Sequence, residues 1–421
     1  MKIVCVGGGP AGLYFAIRAK LRDSSHDIAV LERDRPGATH GWGVVYWEPL
    51  LGSLFRADPV SARELRAAST LWRGQHVSVG GPRPAYLPGY GYSIQRATLL
   101  DVLARRAVEL GVDVRYRRHV ADADDLSALM AESDLVVAAD GANSQVRRLA
   151  GLDAFGTQLE VGANQYIWLG TDRRFENFMF AFERTEPGWI WFHAYPSAAD
   201  ISTCIVECAP QTWTGLGLDR LSDADGCRLL EGIFDGPLGG HRLISDCHGR
   251  PARWQHFTHV TNRTWQHENV VLLGDAAHTT HFTLGSGTAL AIMDAIMLER
   301  FLHGRADVTT ALRDFDRSGH AALGPLQNRA RISMSWFEGV DGQLDRLCDA
   351  TQPAERGRPP VDEAPDPLAF AFRMATRQGD ETPLRYQILR AAQLPAVQAI
   401  DQQAGRGTRW LLDKRRALVT R

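Results

Sequence analysis

Apolar positions along this chain follow two rhythms. In the first third, short buried-type runs alternate with helical spacings. Residues 2–6 and 28–32 read as strands around a helix at 10–22, a βαβ unit of near-minimal length. Residues 97–110 place Leu99, Leu100, Leu103, Ala107 and Leu110 at helical intervals. A strand comes next at 112–116, and 134–139 is a third buried-type strand. After 155 the period drops to two. Four strands are expected at 162–171, 175–184, 187–195 and 200–208, aromatic and β-branched and joined by short turns, the pattern of an antiparallel sheet. Residues 270–273 return to the buried-strand pattern, with a glycine-rich loop and a helix at 287–303 behind them. Helical spacing covers 311–348, five prolines fall within 351–367, and 368–421 is again helical. The expected architecture is α/β, with a discontinuous Rossmann-like domain (1–155 and 265–320). It carries an inserted antiparallel β-sheet domain (156–264) and C-terminal helices (321–421).

Composition narrows the classes. At 421 residues, 44% hydrophobic and 23% charged, the chain has a globular balance with room for two or three cores. A net charge of −2 gives no field for nucleic acid. The apolar run after Met1 is too short for a secretory leader, and no stretch approaches a membrane span, so a cytoplasmic location is expected. Six scattered cysteines form no CxxC pair and no zinc spacing, so no metal is expected. Only Lys2, Lys20 and Lys414 are lysines among 47 basic residues, which leaves none to act between positions 21 and 413.

Three glycine motifs carry the chemistry. Gly7-x-Gly9-x-x-Gly12 comes after a strand and opens a helix, and Glu32 ends the next strand. That is the context a dinucleotide fingerprint requires. The helix N-terminus offers N–H groups to a pyrophosphate, and Glu32 can accept from a ribose diol, which suits FAD or NAD better than NADP. Asp140-Gly141-x-x-Ser144-x-x-Arg147 comes straight after the strand at 134–139. Gly274-Asp275-Ala-Ala-His278 precedes Gly285-x-Gly287 and a helix whose N-terminal dipole faces whatever lies before it.

Taken together and in this order, the three motifs resemble the class A FAD-dependent aromatic hydroxylases of the para-hydroxybenzoate hydroxylase type. The resemblance covers about residues 1–345. Shorter segments, among them Gly41-Trp-Gly-Val-Val45, Tyr166-Ile-Trp-Leu-Gly170, Ile205-Val-Glu-Cys208 and Trp336-Phe337-Glu338, are similar to the branches that act on an aryl-CoA and on an indole-derived violacein precursor. The resemblance implies a GR2-type FAD-binding domain with an inserted β-sheet substrate domain. It implies that Gly7, Gly9, Gly12, Glu32 and Arg33 hold the ADP half of FAD. Arg96 would lie near the phosphates, Asp140 near both cofactors and Asp275 on ribitol and pyrophosphate. Gly285, Gly287 and Thr288 would face the flavin ring. Family members carry proline shortly after the GDAAH segment, where this chain has His281 and Phe282.

No second GxGxxG unit exists, so NADH or NADPH is expected to bind only transiently, as electron donor. The family chemistry implies reduction of FAD, reaction with O2 to a C4a-hydroperoxide, and transfer of OH to an electron-rich ring. Tyr166, Trp168, Phe180, Phe182 and Trp191 are candidate substrate-lining residues, several of them on one strand face. His193 and His281 are candidate catalytic residues able to deprotonate a substrate OH or NH. A small aromatic acyl-CoA thioester is the first expectation for substrate, with Arg173 and Arg174 as candidate phosphate ligands. An indole-like intermediate, or a ring-altering oxygenation on the same scaffold, is the alternative. A homodimer is compatible with the sequence. Trp189-Ile-Trp191 faintly resembles a flavin-halogenase signature, but His193-Ala194 stands where its Ile-Pro should be, and the lysine that chemistry needs is missing throughout 21–413.

Overall fold

The computed structural model describes residues 1–399 apart from 40, 82, 248, 304–306, 351–365, 377–382 and 396. Nearly all of the proline-rich segment expected at 351–367, and the tail beyond 399 with Lys414, lie outside the described residues. Contacts divide the chain into two units. Met1–Ser69, Ile94–Gly162 and His256–Met334 form the first; Thr70–Ser93, Ala163–Gln255 and the chain from Ser335 onward form the second. The sequence pattern keeps 70–93 with the nucleotide domain; here it joins the second unit.

The first unit is built on a six-stranded sheet in the order Gln266–His267, Val270–Leu272, Leu135–Ala138, Lys2–Val6, Asp27–Glu32, Asp113–Tyr116. All neighbours are parallel except the first pair. Its central strands are apolar at nearly every position because helices cover both faces; Leu135, Val136 and Val137 are fully buried. The helix Pro10–Arg22 starts with Gly9 as N-cap and Pro10 at its first position, where a missing N–H costs nothing. It packs along Gly287–His303. Glu299 of the latter, 2% exposed, accepts from Arg18 (2.8 Å) and Arg22 (2.7 Å) and ties the two helices together. Two helices not read from the sequence, Glu48–Ala57 and Pro59–Ala68, pack on each other. The second is capped by buried Asp58, which accepts from the Val60 and Ser61 N–H groups.

The four expected strands are Gln158–Thr171, whose first residues belong to the first unit, and Phe178–Thr185, Gly188–Pro196 and Ser202–Cys208 of the second. They lie in the order Gln158–Thr171, Ser202–Cys208, Gly188–Pro196, Phe178–Thr185, all antiparallel. Leu243–Ile244 extends one edge, and Thr70–Val79 with Ala85–Gln95 the other. The sheet is not antiparallel throughout, because Thr70–Val79 runs parallel to Phe178–Thr185. That strand arrives from a distant part of the chain, so no tight hairpin fixes its direction. One face, with Ala181, Ile190, Phe192, Ala194 and Val206, builds a core with Leu218, Leu230, Phe234 and Leu238 from the helical segment after the four strands. Among the described residues no helix is long and apolar enough to cross a membrane.

Candidate functional site

The glycine motif folds as its spacing dictates. Gly7 has φ +112°, and a Cβ there would lie 2.3 Å from the Ala139 carbonyl oxygen. A Cβ on Gly12 would lie 2.2 Å from the Gly7 carbonyl oxygen. Both positions need glycine so that the turn, the helix and the neighbouring strand can meet. Above Gly9 the space is open, with no atom nearer than 3.9 Å to a built Cβ. The Gly8 and Asp34 N–H groups each donate to one oxygen of Glu32, both at 2.8 Å. The Glu32 carboxylate is therefore oriented by backbone and keeps further lone pairs for a diol. Arg33, the next residue, is exposed.

Arg96 opens the helix Arg96–Glu109, and its N–H donates to the Trp42 carbonyl at 2.8 Å. Its Nε is buried without a hydrogen-bond partner. Burial pushes the guanidinium below its ordinary range, against the opposing charges of Asp275 and Glu32. Asp275 is open to solvent yet hemmed in by protein. Burial raises its carboxyl, opposed by His278 and Arg96 and reinforced by Asp294. Exposure combined with a desolvated environment marks a concave site. A Cβ built on Gly287 would have Asp275 Oδ1 as its nearest atom, at 3.9 Å, so the start of Gly287–His303 runs beside that carboxylate. Gly285 (φ +61°) turns the chain there, and Gly285, Gly287 and Thr288 are all part-exposed.

The loop holding Asp275 is fastened from three sides. Arg147 is buried and donates to the Ala276 and Ala142 carbonyls, both at 2.6 Å. Asn262 donates to the Ala277 carbonyl at 2.5 Å. His278 pairs with Asp294 at 2.8 Å. Asp140 accepts from the Gln145 (2.7 Å) and Val146 (3.1 Å) N–H groups through Oδ2, while its Oδ1 is buried and unpartnered. Gly7, Glu32, Asp140 and Asp275 thus stand at the C-terminal ends of four strands of one sheet, where open α/β sheets bind ligands. An unpartnered guanidinium nitrogen, an unpartnered carboxylate oxygen and a glycine-lined opening at a helix N-terminus fit a flavin dinucleotide: phosphate, hydroxyl and ring each meet suitable chemistry.

His281, in the same unit, is buried between Phe257 (4.8 Å between ring centres) and Phe282 (4.3 Å). Its Nδ1 lies 2.8 Å from Thr283 Oγ1, which is 2.7 Å from Ser333 Oγ, so a short chain of protonatable groups leads from the imidazole. His193 lies in the second unit, buried against Phe178 (6.0 Å) and Phe180 (5.8 Å).

Strand register puts Tyr166, Trp168, Phe180, Phe182, Trp191 and His193 on one face of the second unit's sheet, opposite its helix-covered core. They are not equivalent. Phe182 and Trp191 are fully buried, Phe182 against Phe370 (4.7 Å) and Trp191 against Phe337 (6.2 Å). Phe180 is buried as well. Tyr166 and Trp168 stay part-exposed, and Trp168 Nε1 has no hydrogen-bond partner. Sequence reasoning missed Glu207 on this face. It is 1% exposed and accepts from Asn164 Nδ2 (2.8 Å) and Trp191 Nε1 (3.3 Å). A lone acid inside Ile205-Val-Glu-Cys208, an otherwise apolar run, was the available signal.

Comparison with known proteins agrees with this geometry. The model of the FAD binding domain family matches residues 90–310. A salicyloyl-CoA 5-hydroxylase of Streptomyces sp is 36% identical over 90% of this chain and 70% of its own length. A 3-hydroxy-4-methyl-anthranilyl-[aryl-carrier protein] 5-monooxygenase of Streptosporangium sibiricum is 37% identical over 83% of this chain and 93% of its own. Among solved structures, p-nitrophenol 4-monooxygenase of Pseudomonas putida DLL-E4 superposes with a TM-score of 0.66, covering 93% of this chain and 96% of that one at 16% identity, a likeness of fold.

Proposed function

We propose that this chain, which belongs to the FAD binding domain family and is an FAD-dependent aromatic monooxygenase, hydroxylates an electron-rich ring presented as an acyl thioester. One observation carries the substrate class. Two relatives above one-third identity are named for an aryl group carried on CoA or on an aryl-carrier protein. In this reading NADH or NADPH supplies two electrons. One atom of O2 enters a ring C–H bond as hydroxyl, and the other leaves as water. FAD, when bound, supplies the activation of O2.

The chain's own residues bind, orient and move protons. Glu32 would hold the ribose diol and Arg96 the diphosphate, where its desolvated charge acts most strongly. Asp275 would take a ribitol hydroxyl, and Asp140 a hydroxyl at its unpartnered Oδ1. The N-terminus of Gly287–His303 would place a positive dipole end toward negative charge on the ring. His281 would take the proton of the substrate's ring hydroxyl and share it with Thr283 and Ser333.

The test is a panel on FAD-loaded enzyme: hydroxyaryl-CoA thioesters, the matching free acids, and indoles, each with NADH and NADPH. The reading expects a thioester to stimulate nicotinamide oxidation and yield a product heavier by one oxygen. Turnover of free acids or indoles with thioesters inert would contradict the substrate class.

A further inference from the structure

A cleft of about 670 Å3 opens wholly within the second unit, and the flavin-site residues take no part in it. One wall is the turn after Thr70–Val79, with Gly80 and Gly81. A second is the loop entering Phe178–Thr185, with Arg173, Arg174 and Asn177. The helical segment at Ile233 closes it. The Arg173 guanidinium lies 4.9 Å from the Phe175 ring centre and packs where a Cβ on Gly239 would be 2.7 Å away. Burial alone lowers its affinity for the proton, and among the described residues neither Arg173 nor Arg174 is in an ion pair. A partly dehydrated guanidinium without a carboxylate is prepared for an oxyanion.

The rest of the lining restricts the groups that can be attached to that oxyanion. Glu176 also lines the cleft and offsets part of the arginines' charge, so a polyanion is disfavoured. Burial raises the Glu183 carboxyl to about 7 and keeps His76 toward its neutral form. With Asn177, His76 and the protonated fraction of Glu183 offer donors and acceptors beside apolar Phe178, Met179 and Ile233. One phosphate joined to an amide-bearing, partly apolar chain matches this order of groups. Phe178 connects the cleft to the aromatic face: it lines the one and stacks on Tyr195 (5.2 Å) and His193 (6.0 Å) of the other.

We infer that the cleft receives the phosphopantetheine arm of the thioester, with Arg173 and Arg174 on its phosphate and Asn177 and Glu183 facing its amides. The inference rests on the thioester reading above. The arm is common to coenzyme A and to carrier proteins, so the shared fragment is the first probe.

Calorimetric titration of the FAD-loaded enzyme with 4′-phosphopantetheine, coenzyme A and phosphate-free pantetheine tests it. For the variant Arg173→Gln/Arg174→Gln, binding of the two phosphorylated probes is expected to weaken at least tenfold, with pantetheine unchanged. Arg174→Glu, which alters only an exposed side chain, should reproduce the loss if the double variant is unstable. No binding to wild type, undiminished binding to both variants, or a loss confined to coenzyme A overturns the assignment. A phosphopantetheinylated carrier protein, set against its unmodified form, then identifies which source carries the arm. Turnover of an aryl thioester by wild type is scored separately, so failure of the thioester reading is distinguishable from failure of the cleft.

Discussion

Arg96 is the residue through which the cofactor site is most directly tested. Its Nε has no partner, and the nearby charges are the carboxylates of Asp275 and Glu32. Hydrogen bonds to charged groups contribute about 1.5–3 kcal/mol, so Arg96→Gln should weaken FAD binding roughly ten- to a hundredfold, read by flavin fluorescence. Unchanged affinity would remove Arg96 from the site. His281 carries the proton-transfer proposal. His281→Ala should lower turnover by about 10²–10⁴ while FAD content persists. Unchanged kcat, with nicotinamide use still coupled to product, would refute it. At this scale the sequence was most legible where contacts are local: the clash that forbids a side chain on Gly12 lies five residues away, at Gly7. Glu207 was not legible, because its partners Asn164 and Trp191 stand on other strands and only register brings them to it.

Among the elements, the long helix Val308–Glu338 carries a pH-dependent link to the Asp275 loop. His320 binds Asp316 and the Asn262 carbonyl and packs 4.5 Å from the Trp265 ring centre, while Asn262 itself holds Ala277. These contacts raise the His320 pKa from 6.5 to about 9, the hydrogen bond to Asp316 foremost. A raised pKa in the folded state stabilises it fully below the ordinary value, and this is lost as pH rises through about 9. Thermal midpoints of wild type should therefore fall more steeply between about pH 6.5 and 9 than those of His320→Gln; parallel profiles would contradict this.

The βαβ unit and the four aromatic strands were readable because each keeps one period throughout. Thr70–Val79 was not, because Gly74 (φ +72°) shifts its register between Arg73 and Gln75 and breaks the alternation. Ala85–Gln95 is interrupted by Pro88, Gly89 and Gly91. The covering of Phe182 and Trp191 by Phe370 and Phe337 joins residues more than 140 positions apart, beyond any local pattern.

For the whole molecule, a net charge of −2 and the lack of lysine between 21 and 413 shift the burden of anion recognition to individual arginines. In the proposals above Arg96 takes this part in the first unit, and Arg173 with Arg174 in the second. The central claim is that the chain uses FAD to put one atom of O2 into an aromatic ring. Turnover under ¹⁸O2 tests it most directly, with the product's ring analysed by mass spectrometry. One ¹⁸O per product is expected in the new ring hydroxyl, with one NADH or NADPH consumed for each. Label from water, or nicotinamide oxidation that yields only hydrogen peroxide with every aromatic substrate, would contradict it.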